Sequence, residues 1–366
     1  MTYRPNVPYN DLPPLPPRAE LETPAVMRRC VTASRALAEL KGAGSLIPDQ
    51  AILINSIPLQ EARLSSAIEN IVTTQDALFR AAAMAEGQAD PATREVLRYR
   101  TALRQGYEAV QGRPLDIDLL ISLCATLLDR EAVLRDEEPI LIEDVGAGRA
   151  VYTPPRGRQR LVGLLSNLLA FLQEPGGLDP LLRMAVAHYQ FEAIHPFVDG
   201  NGRTGRIVNL LALLRAGLLE IPVLYLSRYI IANKQAYYQR LRAVTEQGDW
   251  QGWLLYMLAA VEETALWTTD RIRAIRALMD ETAERCRAEM QRGYSRELIE
   301  LIFRQPYCKI AFVVEAGIAQ RDAALAYLRE LERLGVLSSE MVGRERIYRN
   351  PALVAVLGGG EEPGRE

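Results

Sequence analysis

Apolar residues recur at every third or fourth position through most of this chain, the spacing typical of amphipathic and buried helices. This spacing begins after residue 20 and returns, with short breaks, as far as residue 334. Predicted helices cover 33–40, 61–71, 91–110, 115–128, 158–172, 179–193, 202–216 and 227–246, one or two helices lie within 250–290, and three more cover 295–304, 310–316 and 321–334. The pattern predicts an all-α fold.

One passage between residues 139 and 155 breaks the helical pattern. Ile140–Ile142 and Ala150–Tyr152 have the composition of short strands, and Gly146–Gly148 between them is typical of a turn. We therefore expect a small β-hairpin here.

The last fifth of the chain, after Gly293, changes character. Three short predicted helices are followed by Val336–Leu337 and Arg346–Tyr348, two candidate strands around a polar turn. This order is typical of a winged helix-turn-helix. Its predicted recognition helix, 320–333, carries three arginines but also three acidic residues, so a protein-interaction or dimer-positioning role is favoured over DNA binding, which stays open.

The two ends of the chain have biased compositions. The first 20 residues are rich in proline, which excludes a helix and favours an extended arm that drapes over the body or stays loose. The last nine are rich in Gly and Glu, which predicts disorder. The predicted division is a proline-rich arm (1–20), an N-terminal helical region (21–110), a catalytic core (111–290), a winged-helix domain (291–357) and a tail (358–366).

Composition and charge narrow the class of protein. With 366 residues, 49% of them hydrophobic, the chain is long enough for more than one domain. A net charge of −3 argues against a broad nucleic-acid or membrane surface. The four cysteines are widely spaced and predict reduced core thiols, not a zinc site. No signal sequence or membrane span is evident, so a cytoplasmic protein without a membrane partner is expected.

The segment from His195 to Arg206 reads His-Pro-Phe-Val-Asp-Gly-Asn-Gly-Arg-Thr-Gly-Arg and carries the candidate chemistry. Gly200 and Gly202 allow a tight turn and a close approach of backbone N–H groups to an anion, next to the positive end of a predicted helix. Arg203 and Arg206 lie three residues apart on that helix, so both guanidinium groups can reach the same side. The segment therefore predicts a phosphate-binding loop.

Two further residue types beside this loop predict group transfer. Asp199 is a candidate Mg²⁺ ligand, because Mg²⁺ takes one or two carboxylates together with phosphate oxygens. His195 could take the proton from an incoming hydroxyl. Nucleotidyl or phosphoryl transfer is the reaction class that these residues predict. The Gly-x-x-x-x-Gly-Lys-[Ser/Thr] run is missing from the chain, so it is not a P-loop NTPase.

The same segment matches every fixed position of His-Pro-Phe-x-Asp-Gly-Asn-Gly-Arg-x-x-Arg, and the chain thereby resembles the Fic family. The resemblance implies a helical core that transfers AMP from ATP to a Ser, Thr or Tyr hydroxyl of a target protein and releases pyrophosphate. It implies His195 as general base, Asp199 as Mg²⁺ ligand, Gly200, Asn201 and Gly202 as the cradle of the α- and β-phosphates, Arg203 as a β-phosphate ligand and Arg206 as the γ-phosphate ligand.

A second segment, Ser65-Ser66-Ala67-Ile68-Glu69-Asn70, resembles the inhibitory motif [Ser/Thr]-x-x-x-Glu-[Gly/Asn] of Fic proteins. It lies N-terminal to the core, as in the family's second class. A carboxylate that forms a bidentate pair with Arg206 would occupy the group that should hold the γ-phosphate. Glu69, with Ser65 at the start of the motif, is therefore expected to inhibit the enzyme.

Two other features acquire expected roles from the resemblance. The predicted hairpin, ending in Arg149–Tyr152, lies where Fic proteins carry a flap whose edge pairs with the target's main chain and so docks the acceptor hydroxyl. Tyr237 and Tyr238 resemble the part of the family that closes over the adenine, although both are equally compatible with core positions.

The leading hypothesis is a self-inhibited protein adenylyltransferase that uses ATP and Mg²⁺ and also modifies itself. Removal of AMP, or use of another nucleotide, stays open because the loop recognises phosphates that all nucleotides share. A nucleotide-sensing DNA-binding regulator is the alternative from another class, and the intact His195 argues against it. A homodimer would be typical of the resemblance.

Overall fold

The computed structural model describes residues 3–84, 89–137, 140–144, 149–174, 177–343 and 345–358. The predicted turn Gly146–Gly148 and the predicted tail beyond Gly358 lie outside these ranges. The elements, in chain order, are α1 (Pro24–Gly44), α2 (Ala51–Ile68), α3 (Gln75–Ala83), α4 (Pro91–Gly112), α5 (Ile117–Leu128), β1 (Ile142–Asp144), β2 (Arg149–Tyr152), α6 (Arg158–Gln173), α7 (Pro180–Ile194), α8 (Asn201–Arg215), α9 (Leu226–Ala232), α10 (Lys234–Gln247), α11 (Trp250–Glu289), α12 (Arg296–Arg304), β3 (Tyr307–Cys308), α13 (Ile310–Glu315), α14 (Arg321–Arg333), β4 (Ser338–Val342), β5 (Glu345–Arg349) and α15 (Pro351–Gly358).

About half of the helices in the described ranges start directly after a polar residue that caps the first turn. Its side-chain oxygen accepts a hydrogen bond from an N–H two or three residues further on, which satisfies a donor that the helix itself leaves free. Residues of this kind are Thr23, Thr74, Asp90, Asp116, Asp179, Asp249 and Ser295. Proline occupies the first position of α1, α4 and α7, where its missing N–H costs nothing.

The helices α7 and α8 form the centre of the molecule. Nearly all of their residues are buried, so their sequences are not divided into a polar and an apolar face. Around them α1 packs along α11, while α4 contacts both α5 and α8. The predicted all-α character is confirmed, and the loop between α7 and α8 lies at the heart of this core.

Several helices differ from the prediction. The predicted helix 33–40 is the longer α1 (Pro24–Gly44), and α3 (Gln75–Ala83) was not predicted. The predicted helix 227–246 is two helices, because Asn233 leaves the helical conformation and its side-chain amide donates to the carbonyl of Tyr229. The predicted helix 61–71 begins earlier and ends at Ile68, since Asn70 has a φ of 62°. The residues from 250 to 289 form one continuous helix.

The C-terminal unit (residues 291–358) contains a three-stranded antiparallel sheet in the order β3-β5-β4. The pair β4-β5 lies in the region of the predicted wing, but β4 begins at Ser338, after the predicted strand 336–337. The strand β3 is two residues long, too short for an alternating pattern to predict it, and α15 was not predicted. The unit packs on the N-terminal region, where Arg304 forms an ion pair with Asp49.

The proline-rich arm is packed on the core. Leu12 and Leu15 are buried. The side-chain amide of Asn167 pairs with the backbone of Leu15 through both its oxygen (2.7 Å) and its nitrogen (2.9 Å). Gln190 donates to the carbonyl of Pro13 at 2.8 Å. The arm thus drapes over α6 and α7.

Two other expectations concern burial and membranes. All four cysteines are free and buried, in agreement with core thiols. Within the described ranges, no helix combines the length and apolar character needed to cross a bilayer.

Candidate active site

The loop between α7 and α8 is held in one shape by its own residues. His195 ends α7 with a φ of 48°, and Gly200 precedes α8 with a φ of 81°. The side chain of Asn201 accepts from the backbone N–H of Phe197 and donates to its carbonyl, both at 2.8 Å. Asn201 therefore shapes the loop, and the N–H groups at the start of α8 are left for an anion.

Arg135 fixes the other side of this loop. It is 3% exposed, and its Nε donates to the carbonyl of His195 at 2.7 Å. Its Nη2 donates to the carbonyls of Ile194 and Pro155, each at 3.1 Å. One guanidinium group thus ties the end of α7 to the segment that follows the hairpin, and so determines where the backbone of His195 lies.

The environment of His195 favours its neutral form. Desolvation, with a further contribution from the charge of Arg135, lowers the pKa of His195 to about 4. Its Nδ1 is buried and has no hydrogen-bond partner among the described residues. At neutral pH the imidazole is therefore uncharged and able to accept a proton.

Arg206 is buried and hydrogen-bonds to Ser65 of α2 and to Glu69 just beyond that helix. Its side chain is 1% exposed. Its Nε donates to the hydroxyl of Ser65 at 2.7 Å, and its Nη2 donates to the carbonyl of Ser65 at 3.0 Å and to Oε1 of Glu69 at 2.8 Å. The structure thus brings together the two predicted inhibitory residues and the predicted γ-phosphate ligand.

The carboxylate of Glu69 lies directly over the start of α8. A Cβ atom added at Gly202 would overlap Oε1 of Glu69, so only glycine leaves this space open. Although burial raises the pKa of Glu69, the charges of Arg206 and Arg203 outweigh it and hold the pKa below its usual value. An anion therefore lies where a helix N-terminus and two arginines converge.

The end of α2 places Glu69 at this point. Glu69 follows the last helical residue, and the next residue, Asn70, adopts the left-handed conformation that only Gly and a few polar residues adopt readily. Lys234 donates to the carbonyl of Ile68 at 2.6 Å. The left-handed conformation at Asn70 explains why the last position of the resembling motif is Gly or Asn.

Arg203 is held by a carboxylate that the sequence did not indicate. Its side chain is 3% exposed, with Nη1 2.6 Å from Oε1 of Glu95 and Nη2 3.7 Å from Oδ1 of Asp199. Asp199 accepts from the N–H of Gly200 at 2.6 Å and lies 3.7 Å from Arg130. About half of the Asp199 side chain is exposed, so one side of its carboxylate faces outward.

Glu61 is a buried carboxylate on α2, eight residues before Glu69. It accepts from the N–H of Ser227 at 3.1 Å, from the hydroxyl of Ser227 and from the hydroxyl of Tyr99 at 3.3 Å. Burial raises its pKa to about 7. Glu61 and Ser65 lie one turn apart on the same face of α2, and Glu69 follows just after the helix ends, so contacts with Ser227 and Arg206 hold the C-terminal half of α2 on the core.

The two candidate nucleotide-stacking tyrosines have different surroundings. Tyr237 is 2% exposed, packs on Trp253, and shares a hydrogen bond of 2.9 Å with Nε2 of the buried His188. Tyr238 is 45% exposed, with its ring edge-on to Tyr237. Of the two, only Tyr238 presents a surface to an incoming ring.

The hairpin pairs β1 with β2 in antiparallel register, with an irregularity between Ile142 and Glu143. Tyr152, at its end, donates to the carbonyl of Ala193 at 2.8 Å, which attaches the hairpin to α7 just before His195. The hairpin therefore flanks the loop.

Sequence reasoning missed several residues that build this site, namely Arg135, Glu95, Lys234 and Glu61. The first three are isolated charges in ordinary helical or loop surroundings and carry no pattern of their own. Glu61 did carry a signal, because it lies four residues before Ser65 and eight before Glu69.

Three regions of the chain match known protein families. Residues 27–108 match the Fic/DOC family N-terminal region, residues 114–213 match the Fic/DOC family, and residues 278–353 match the C-terminal domain described as protein adenylyltransferase SoFic-like. The chain is 32% identical over 142 residues to the protein adenylyltransferase Fic of Culex quinquefasciatus, which covers 38% of this chain and 26% of that protein. It is 36% identical over 73 residues to a probable protein adenylyltransferase of Aquifex aeolicus, covering 20% of this chain and 23% of that protein. The chain thus aligns with about a quarter of the length of these relatives.

Solved structures share the fold. A Fic family protein from Desulfovibrio desulfuricans superposes with a TM-score of 0.56 at 20% identity, covering 92% of this chain and 98% of that one. Fic-1 from Caenorhabditis elegans gives a TM-score of 0.52 at 20% identity, covering 68% of this chain and 74% of that one.

Fold and site together define a helical protein with an anion-binding loop at the start of its central helix, beside a neutral histidine. The three family matches identify the class further. The chain belongs to the Fic/DOC family.

Proposed function

We propose that the chain is a self-inhibited protein adenylyltransferase. It transfers AMP from ATP to a Ser, Thr or Tyr hydroxyl of a target protein, and to itself when no target is present. The observation that carries the proposal is the ion pair between Glu69 and Arg206, in which an internal carboxylate occupies an anion site built from a helix N-terminus and buried arginines.

The residues of the loop supply the chemistry of transfer. His195 is neutral at pH 7 and takes the proton of the attacking hydroxyl. The hydroxyl oxygen forms a bond to the α-phosphorus of ATP while the bond from that phosphorus to the bridging oxygen breaks, and pyrophosphate leaves. N–H groups at the start of α8 and Arg203 stabilise the charge that develops on the phosphates.

The site also fits Mg²⁺ that arrives with the nucleotide. Among the described residues, no group of three or more His, Cys, Asp or Glu is arranged to hold a metal by itself. Asp199 offers one partly exposed carboxylate beside the phosphate loop. Mg²⁺ commonly takes one or two carboxylates and completes its shell with phosphate oxygens and water. When bound there, it would neutralise phosphate charge.

The target protein docks on the hairpin. The adenine of ATP packs against the ring of Tyr238. The hairpin is attached to α7 two residues before His195, so a main chain paired along it would bring a hydroxyl toward the base. The exposed ring of Tyr238 offers a face for the adenine, with the buried Tyr237 as its support.

The C-terminal unit serves protein interaction or positioning in this proposal. Its order of helices and strands supports a winged helix. Arg333, on its predicted recognition helix, is paired with Glu330 at 2.7 Å, which lowers the positive charge available to phosphates.

Label transfer from α-³²P-ATP with Mg²⁺ tests the proposal, on the protein itself and on a cell lysate. Wild type, Glu69→Gly and the double variant Glu69→Gly/His195→Ala are compared. We expect little label with wild type, strong label with Glu69→Gly, and loss of that label with the double variant.

Other results would point elsewhere. A Glu69→Gly protein that binds ATP but transfers no label contradicts adenylylation and leaves a nucleotide sensor or another donor. Release of AMP from prelabelled protein by the wild type, and not by Glu69→Gly, would assign Glu69 to the reverse reaction.

A further inference from the structure

The outward edge of the hairpin is already occupied in this structure. The register of β1 and β2 pairs Tyr152 with Ile142 and Ala150 with Glu143, and so passes over Val151. The carbonyl of Val151 accepts a hydrogen bond of 2.7 Å from the hydroxyl of Tyr3 instead. Two residues on, the carbonyl of Thr153 accepts from the N–H of Tyr9 at 2.9 Å.

The contact continues through side chains on both sides. The hydroxyl of Thr153 donates to the carbonyl of Pro5 at 2.5 Å. The rings of Tyr3, Tyr9 and Tyr152 form a cluster, in which Tyr3 stacks on Tyr152 with centroids 6.0 Å apart and Tyr9 meets it edge-on at 6.4 Å. Residues 3–10, which turn between Arg4 and Val7, thus contact the end of the hairpin through two main-chain acceptors and a cluster of aromatic rings.

This segment, residues 3–10, is tethered at its C-terminal side. Leu12 and Leu15 are buried, and Asn167 holds the backbone of Leu15. Residues 3–10 can therefore leave the hairpin while the rest of the arm stays on the core. A tether this short gives the segment an effective concentration in the millimolar range at the hairpin.

We propose that residues 3–10 are a built-in competitor for the docking edge of the hairpin. They hold the main-chain groups that a target would use, and a target gains the edge by displacing them. The partner that fits is a peptide segment with an aromatic side chain able to replace Tyr3 or Tyr9 against Tyr152. The inference rests on the proposed function, because it assumes that targets dock on the hairpin.

A binding experiment tests the occupancy without any need for catalysis. The probe is a fluorescein-labelled peptide with the sequence of residues 3–10, measured by fluorescence anisotropy against the full chain and against a chain that begins at Asp11. We expect the peptide to bind the shortened chain at least about tenfold more tightly, because the carbonyl, hydroxyl and ring groups that residues 3–10 contact are then unoccupied. Equal binding to both chains would overturn the proposal.

Two conservative variants sharpen this measurement. Tyr3→Phe in the peptide removes the hydroxyl that bonds Val151 and keeps the ring, and Thr153→Val in the shortened chain removes the hydroxyl that bonds Pro5. Each should weaken binding by roughly threefold to tenfold. Tyr107→Phe in the shortened chain removes a hydroxyl that bonds Glu220 and should leave binding unchanged.

Label transfer then connects occupancy to docking. In the Glu69→Gly background, the chain that begins at Asp11 should label lysate proteins roughly tenfold faster than the full-length variant at low acceptor concentration, and the free peptide should reverse this gain. A peptide that binds the shortened chain but leaves labelling unchanged would show that the arm does not cover the docking edge. Absence of label from every variant would refute the adenylyltransferase itself, while the anisotropy result would still decide the occupancy of the edge.

Discussion

Replacing Glu69 with glycine should have opposite effects on stability and on ATP binding. The change removes a charge-assisted hydrogen bond to a guanidinium that is 1% exposed. Such bonds contribute about 1.5–3 kcal/mol, and a buried charge left without its partner costs about 3–5 kcal/mol. Arg206 keeps both acceptors of Ser65, and Glu69 is 36% exposed, so we expect a loss near the lower end, about 2 kcal/mol.

The free energy that the Glu69–Arg206 contact contributes should also set the difference in affinity for the γ-phosphate between the wild type and Glu69→Gly. In the wild type the nucleotide must displace the carboxylate from Arg206, whereas in Glu69→Gly it does not. A difference of about 2 kcal/mol corresponds to about 30-fold tighter binding of a non-hydrolysable ATP analogue. ADP lacks the γ-phosphate and should gain much less. The free variant should unfold a few degrees below the wild type, roughly 4 °C, and saturating analogue with Mg²⁺ should reverse the order.

Calorimetric titration with the analogue and with ADP checks the change in affinity. Thermal unfolding checks the change in stability. Glu69→Gln is the matched control, because it keeps the shape and loses the charge, and should lie between wild type and Glu69→Gly. If analogue and ADP gain equally, Arg206 is not the group that reads the γ-phosphate. If stability does not fall, the ion pair contributes nothing to the resting state.

Three further predictions concern the loop and its support. Arg135→Ala removes the bonds that fix the backbone of His195. In the Glu69→Gly background, the labelling rate should therefore fall by about 10–100-fold, while the KM for ATP changes by no more than about threefold. A rise in KM alone would contradict a positioning role. Because the pKa of His195 lies at about 4, falling pH should leave the labelling rate flat from about pH 8 to about pH 6 and reduce it only as pH approaches 4, and an apparent pKa near 6.5 would refute this assignment. Gly205→Ala would place a Cβ 2.6 Å from a buried carboxylate oxygen of α7 and should cost about 1–3 kcal/mol in urea unfolding, whereas Gly163→Ala, with open space around it, should stabilise α6 by about 0.5–1 kcal/mol.

The sequence predicted the helical fold and the composition of the anion site because both depend on local patterns. The spacing of apolar residues is a property of single helices, and the loop from His195 to Arg206 is contiguous. Ser65 and Glu69 lie far from Arg206 along the chain. Only a resemblance to a known motif, and not any physical pattern, related them.

The residues that sequence reasoning missed act across the fold. Arg135 reaches three carbonyls from two other segments, and Glu95 pairs with an arginine on a helix more than a hundred residues away. Contacts of this kind arise from packing and leave no periodic trace. The break at Asn233 is likewise a matter of competition between side chain and backbone, which propensity alone does not resolve.

The helix α2, which ends just before Glu69, packs against both the core and the C-terminal unit. On one side α2 contacts the core through Ser65 and Glu61, and on the other it packs against α12 and α15, with Arg304 paired to Asp49 just before its first turn. A closely packed helix cannot shift against one neighbour without altering its fit to the other. By thermodynamic reciprocity, a ligand of the C-terminal unit that favours one position of α2 must change ATP affinity by the same factor by which ATP changes the affinity for that ligand. A candidate partner of the C-terminal unit can therefore be recognised by the change it causes in ATP affinity, without any assay of the unit itself.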